Sequence, residues 1–295
     1  MISNKELKSS DIFKNFKMNK KLLLAIPFFL LTLLFIIIPL IIIITYAFLP
    51  TSAGSIEDNW EILNSSVMMK ILRSIYISLA STLICILIAY PFCYFLSMSK
   101  NKIYKSVVML IVTAPIWSSL LIKLIGLKTL FDTINGAGNS TYGDIFTIIG
   151  LVYIYLPFMM MPLYNSLESL PKNLVYASRD LGRNFVTTFF KVILPYTKHA
   201  LIAGITLVYL PSLTSVAVSA FLNNNNDGTL IGGIIEGSAG NANNSDIALA
   251  RVSVLSLTIG LIILGMYGIY ILTPKVYKMI KKSSSKRTEK INEKQ

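Results

Sequence analysis

The chain is poor in charge, in cysteine and in histidine. Asp, Glu, Lys and Arg make up 14% of its 295 residues, where soluble domains carry about a quarter. The single histidine, His199, cannot build a metal site alone. The two cysteines, Cys85 and Cys93, fall in one apolar run. As a helix, that run separates them by roughly 12 Å, too far for a disulfide, so they read as small core residues. There is no G-x-x-x-x-G-K-[ST] phosphate loop and no Ser/His/Asp or metal-ligand constellation. These absences argue against an enzyme, against a resident metal or cofactor, and against ATP hydrolysis by this chain.

What is present is apolar and comes in long runs. Hydrophobic residues make up 54% of the chain and the mean hydropathy is +0.65. The first run, Leu22 to Leu49, contains no charged residue, and about 20 apolar residues suffice to cross the hydrocarbon core as a helix. A secretory signal is shorter and needs a small-residue cleavage site, for which "TYAFLPTSAG" is a poor candidate. The run therefore reads as a retained first span. Hydropathy places six spans at about 22–49, 72–98, 104–125, 145–166, 198–222 and 247–273. The expected fold is all-α and polytopic, a six-helix domain over 22–273 between basic termini, 1–21 and 274–295. Pro39, Pro91, Pro115, Pro157, Pro162 and Pro211 punctuate the spans and read first as helix kinks.

The net charge of +13 invites a nucleic-acid reading, but its distribution argues otherwise. Lys5, Lys8, Lys14, Lys17, Lys20 and Lys21 precede the first span, and eight Lys or Arg follow the last. With the termini inside, all of the 27 basic residues lie on or beside inward segments except Lys70, Arg73, Lys123, Lys128 and Arg251. Glu57, Asp58, Glu61, Asp132, Asp144, Asp227, Glu236 and Asp246 fall outside or near the outer ends. This is the positive-inside pattern of a cell-membrane protein with both termini cytoplasmic, and no nucleic-acid motif accompanies it. The outer loops are then 50–71 with Trp60 as a candidate interfacial anchor, 132–144 as a turn, and 223–246. The last holds Leu230 to Ile235, too short to span and expected as a partial helix returning into the outer mouth. The tail 282–295 is polar enough to be disordered.

The largest inward connection, 167–197, contains "LVYASRDLGRNFVTTFFKVILP". Pro171 suits a first helical turn. Leu174, Ala177 or Ser178, and Leu181 then form a narrow apolar stripe. Gly182 stands where a left-handed cap belongs, and a second helical stretch from about Asn184 to Ile193 is expected to stop at Pro195.

These residues resemble the membrane subunits of binding-protein-dependent ABC importers. That family's loop signature is Glu-Ala-Ala, three residues, Gly, nine residues, then Ile-x-Leu-Pro. Here Tyr176-Ala177-Ser178, Gly182 and Val192-Ile193-Leu194-Pro195 keep the spacing throughout, with Tyr176 for the glutamate and Ser178 for the second alanine. The resemblance implies that Tyr176, Ala177, Ser178, Asp180, Gly182, Leu194 and Pro195 form an ATPase-coupling site. "YPFCYFLSMSK", "APIWSSLLIKLIGLKTLF" and "GLVYIYLPFMMMPLYNSLESL" are similar to stretches of the spermidine/putrescine branch of PotB type. The implied partners are a second homologous permease subunit, two ATP-binding cassette subunits, an external polyamine-binding protein or domain, and membrane lipid.

A polyamine path needs carboxylates, aromatic faces and hydroxyl or carbonyl oxygens. Tyr90, Trp117, Tyr153, Tyr155 and Tyr209 supply the aromatics, and Asp132, Glu236 and Asp246 supply carboxylates at the outer mouth. Each has a plainer reading, the tyrosines as anchors or packed core and the acids as solvated outer charge. Trp117 leads the set because Pro115, Ser118 and Ser119 surround it. Lys123 opposes a purely cation-attracting tunnel; it either snorkels outward or pairs with a carboxylate. The alternatives are an ABC permease for an oxyanion, iron or opine-like solute, and an ion-gradient carrier. The outer acids disfavour an oxyanion. A carrier would need intramembrane ion pairs and an internal repeat, which the sequence lacks.

Overall fold

In lipid no water satisfies the backbone, so apolar runs must close their hydrogen bonds internally as helices. The structure, a computed structural model, describes residues 20–51, 55–136, 142–223, 229–240, 246–265 and 268. The expectations for residues 1–19, for the end of the sixth span and for the tail 274–295 lie outside them. In chain order the elements are α1 (Ala25–Phe48), α2 (Ser65–Met98), α3 (Lys102–Thr113), α4 (Leu120–Asn135), α5 (Gly143–Glu168), α6 (Lys172–Asp180), α7 (Phe185–Leu213), α8 (Ala217–Leu222), α9 (Ile231–Gly240) and α10 (Asp246–Gly265). Five are long and apolar enough to cross a membrane, and the pair α3 and α4 together makes a sixth candidate.

The body is built on α2, α5 and α7, which pack on one another along their lengths. Lipid tails are as apolar as leucine, so membrane helices associate through small residues and close fit more than through the hydrophobic effect. The buried face of α2 fits that rule: Ser78, Ser81, Thr82, Cys85, Ala89 and Cys93 are all buried. The Ser81 and Thr82 hydroxyls donate to the Ser78 carbonyl at 2.9 and 2.7 Å, so they bring no unpaired donor into the core. Cys85 and Cys93 are free thiols in this seam, and Cys93 donates to the Met160 carbonyl on α5 at 3.5 Å. Met159, Leu163, Leu167, Ile193 and Val208 complete the cluster. By contrast, α1 stands apart, with Phe28, Phe35 and Ile41 all exposed.

Three of the expected spans differ in extent or shape. The second span starts at Ser65 rather than near 72, because Asn64 caps it by accepting from the Val67 N–H at 3.0 Å. Arg73 inside it is neutralised by Asp144, which Asn223 also contacts at 3.0 Å. The third span is not one rod over 104–125. It breaks after Thr113 into a 3-10 turn at Ala114–Trp117, and α3 and α4 meet at 94°. Pro115 is the cause, since it brings no N–H and its ring obstructs the preceding turn. The fifth span runs over Phe185–Leu213 rather than 198–222, with α8 as a separate short helix.

Pro195 therefore does not stop the second helix of the loop 167–197. A π turn at Phe189–Ile193 precedes it, in which the Leu194 N–H reaches back five residues to the Phe189 carbonyl. The widened turn makes room for the ring and the missing donor. The same solution appears at Leu33–Ile37 ahead of Pro39 in α1.

Between the spans, the described residues carry more helix than the loop composition implies. Residues 132–135 continue α4 up to Gly136, and residues 137–141 of the expected turn lie outside the described residues. The apolar piece Leu230 to Ile235 does form a helix, α9, whose first residues are buried against α2 and α8. The Ile231 N–H donates to Ser74 Oγ at 2.9 Å and the Leu230 N–H to Ser219 Oγ at 3.4 Å. Gly232 is needed there, because a Cβ would lie 2.2 Å from the Thr214 carbonyl oxygen. Trp60 packs on Phe48 at the end of α1, ring centroids 5.4 Å apart.

Candidate functional site

The loop 167–197 begins where α5 ends. Lys105 on α3, itself buried, holds Glu168 at 2.6 Å and fixes that end. Pro171 then caps α6. At the far end of α6 the Leu181 N–H bonds the Ala177 carbonyl at 3.2 Å and the Gly182 N–H bonds the Arg179 carbonyl at 2.8 Å. The Arg183 N–H reaches back to the Ser178 carbonyl at 3.3 Å, giving a Schellman-type end with Gly182 at φ +75°. Only glycine takes that conformation without steric cost. Asn184 then caps α7 by accepting from the Thr187 N–H at 2.9 Å.

The faces of α6 are sorted differently from the apolar stripe. Val175 is 2% exposed and Ser178 is buried, and these two hold α6 to the body. Leu174, Tyr176, Ala177, Asp180, Leu181 and Gly182 point away from it, with Leu181 78% exposed. Ser178 Oγ lies 3.0 Å from Thr188 Oγ1 on α7, both buried. Leu194 is half-buried and Pro195 exposed.

Aromatic side chains connect the loop to α2. Tyr94 packs edge-on to Phe185 at 5.6 Å and Tyr90 edge-on to Phe189 at 4.9 Å. The Tyr90 hydroxyl also bonds that of Thr197. A displacement of α6 and the first turns of α7 therefore bears directly on α2, through rings rather than through flexible chains.

The candidate path residues separate. Tyr90 is 5% exposed and serves the α2–α7 seam. Tyr209 is buried and hydrogen-bonded to Ser78, while Tyr155 is hydrogen-bonded to Ser215. Tyr153 is exposed on α5, and Trp117 is 88% exposed at the α3–α4 break. Asp132 is half-buried near the end of α4, and Glu236 is exposed on α9. Among the described residues Lys123 meets no carboxylate; its Nζ donates to the Pro115 carbonyl at 2.6 Å.

A comparison with known families decides what this arrangement is. The family described as binding-protein-dependent transport system inner membrane component matches residues 81–276, which include the break, the loop and its glycine. The chain belongs to this family. It is thus a multi-pass inner-membrane permease component of a binding-protein-dependent transport system. Among its relatives, the spermidine/putrescine transport system permease protein PotB homolog of Mycoplasma pneumoniae is 40% identical over 90% of this chain and 96% of that protein. The PotB permease of Escherichia coli is 34% identical over 78% of this chain and 90% of its own length. The fold agrees with a chain of a bacterial ABC transporter that imports the acidic polysaccharide alginate. That similarity has a TM-score of 0.62 and 16% identity, and covers 92% of this chain and 99% of the other.

Within this permease fold, sequence reasoning missed the partners rather than the motif. Thr188 lies ten residues from Ser178 with no periodicity to link them. Phe185 and Phe189 carried a signal, a four-residue aromatic spacing that puts both rings on one helix face.

Proposed function

We propose that this permease component translocates polyamines, spermidine or putrescine, handed over by an external binding protein. The similarity to permeases named for spermidine and putrescine, at 40% identity over 90% of the chain, carries that reading. The chain pairs with a second, homologous permease subunit, and two ATP-binding cassette subunits dock beneath. ATP is hydrolysed there and not by this chain, which has no phosphate loop. The charge pattern puts both termini and the loop 167–197 in the cytoplasm.

The docking face is the exposed side of α6, made by Leu174, Tyr176, Ala177, Asp180 and Leu181 and ended by Gly182. Closure of the ATPases pushes α6, and the Ser178–Thr188 contact carries the push into α7. The Tyr94–Phe185 and Tyr90–Phe189 pairs carry it into α2, so the spans tilt between outward- and inward-open states. On the transport side, Trp117 and Tyr153 offer exposed aromatic faces to a cation, and Asp132 and Glu236 attract it at the outer mouth. Tyr90 and Tyr209, buried in the single chain, act on the path through packing.

The test is reconstitution of the full complex in vesicles. The expected result is saturable, ATP-dependent spermidine uptake that disappears when this subunit is left out. Equal uptake without it overturns the assignment.

A further inference from the structure

The α3–α4 break takes the Pro115 carbonyl out of the α-helical ladder. The 3-10 turn ends at Ser118 in extended backbone, and α4 restarts at Leu120. The Pro115 carbonyl, freed from the ladder, is met by three donors instead: the Ser118 N–H at 3.3 Å, Ser118 Oγ at 2.9 Å and Lys123 Nζ at 2.6 Å. The lysine contact is the shortest, and the only charged one of the three.

Lys123 stands there against two opposing effects. It lies near the N-terminal end of α4, where the helix dipole disfavours a cation. An ammonium within a span is also costly and needs an oxygen partner. The Pro115 carbonyl is that partner. The same few residues expose the Trp117 indole and the Ser118 and Ser119 side chains. A carbonyl, hydroxyls and an aromatic face are what an alkylammonium needs to shed water.

We propose that Lys123 is a resident ammonium that holds the Pro115 carbonyl until an ammonium group of the substrate displaces it, which makes it a specificity-determining residue of the path. The proposal rests on the polyamine reading above. A lysine side chain ends like a polyamine, a primary ammonium on a four-carbon chain, and its tether keeps it at high effective concentration. A monoamine can only exchange one ammonium for another, and pays its association entropy for no gain. A polyamine brings a second cation for Trp117 and profits from the exchange. The returning lysine then helps to expel the substrate, so binding stays weak enough for release.

The experiment uses the reconstituted complex and first measures wild-type spermidine uptake, whose absence removes the polyamine reading itself. With uptake present, Lys123→Met is expected to lower the KM for spermidine about tenfold, the worth of one charge-assisted hydrogen bond, while slowing turnover. It should also make n-butylamine an inhibitor where the wild type resists it. Lys123→Arg keeps the wild-type KM. Lys128→Met, which removes a cation of α4 away from the break, leaves KM unchanged. Should Lys123→Met not co-purify with its partners, Lys123→Gln is judged by the same criterion. A KM that is unchanged or raised, or continued resistance to n-butylamine, overturns the proposal.

Discussion

Ser178 Oγ lies 3.0 Å from Thr188 Oγ1, and this buried contact joins α6 to the first turns of α7. The position where the family signature has its second alanine thus carries a hydroxyl that clamps the two helices of the loop. Ser178→Ala leaves the Thr188 hydroxyl buried without this partner, at an expected cost of about 1 kcal/mol. Ser178→Ala with Thr188→Val removes both hydroxyls and should recover most of that loss. Thermal unfolding of the purified complex reads this directly. Strictly additive losses in the double variant would mean that the two hydroxyls do not interact.

Gly182 has φ +75° and nothing within 4 Å of the place a Cβ would take, so backbone strain alone opposes a side chain there. Gly182→Leu costs about 1–2 kcal/mol locally and should re-aim the end of α6. The expected outcome is normal membrane abundance with uptake reduced by at least about tenfold, since docking geometry must hold within about 0.5 Å. Gly182→Asn, which tolerates the left-handed region, should retain more activity. Uptake normalised to immunoblotted subunit checks both.

Trp117 and Tyr90 should behave in opposite ways although both are aromatic residues of the spans. Trp117 is exposed at the break, so Trp117→Ala should raise the KM for spermidine several-fold, by about 1 kcal/mol of lost cation–π contact, with little change in unfolding temperature. Tyr90 is buried against Phe189 and bonded to Thr197. Tyr90→Phe should lower stability by about 1 kcal/mol and leave KM near the wild-type value. Initial-rate uptake together with a thermal scan separates the two.

Gly232 faces the Thr214 carbonyl, which a Cβ would approach to 2.2 Å. That neighbour is backbone and cannot rotate away. Gly232→Ala should therefore shift α9 and destabilise the outer side by about 1–3 kcal/mol. Protease sensitivity of the 223–246 region in intact vesicles is the readout, and unchanged sensitivity would contradict the packing.

The loop 167–197 was the most legible part of the sequence, because its features are local. Gly182 takes the expected left-handed turn and a helix does start after Asn184, while Pro171 stands one residue before the first turn expected for it. The prolines were less legible. Pro115 breaks a span, whereas Pro91, Pro157, Pro162 and Pro211 sit inside continuous helices and Pro195 is absorbed by a π turn. The outcome depends on the tertiary neighbours of each proline, and at the break the carbonyl of Pro115 itself is met by a lysine eight residues away.

By itself the sequence determined the long apolar segments, the regular loop 167–197 between two of them, and the glycine that ends its first helix. Those follow from residue chemistry over a few turns of chain. Only the tertiary structure decided that α6 turns Val175 and Ser178 inward and Leu174 and Leu181 outward, that Tyr90 and Tyr209 are core while Trp117 is free, and that Lys123 closes on Pro115. The reason is that lipid and protein interior are equally apolar, so hydrophobicity says that a helix spans and not which face meets its neighbours. Close packing of small residues and the search of each buried polar group for a partner made that choice.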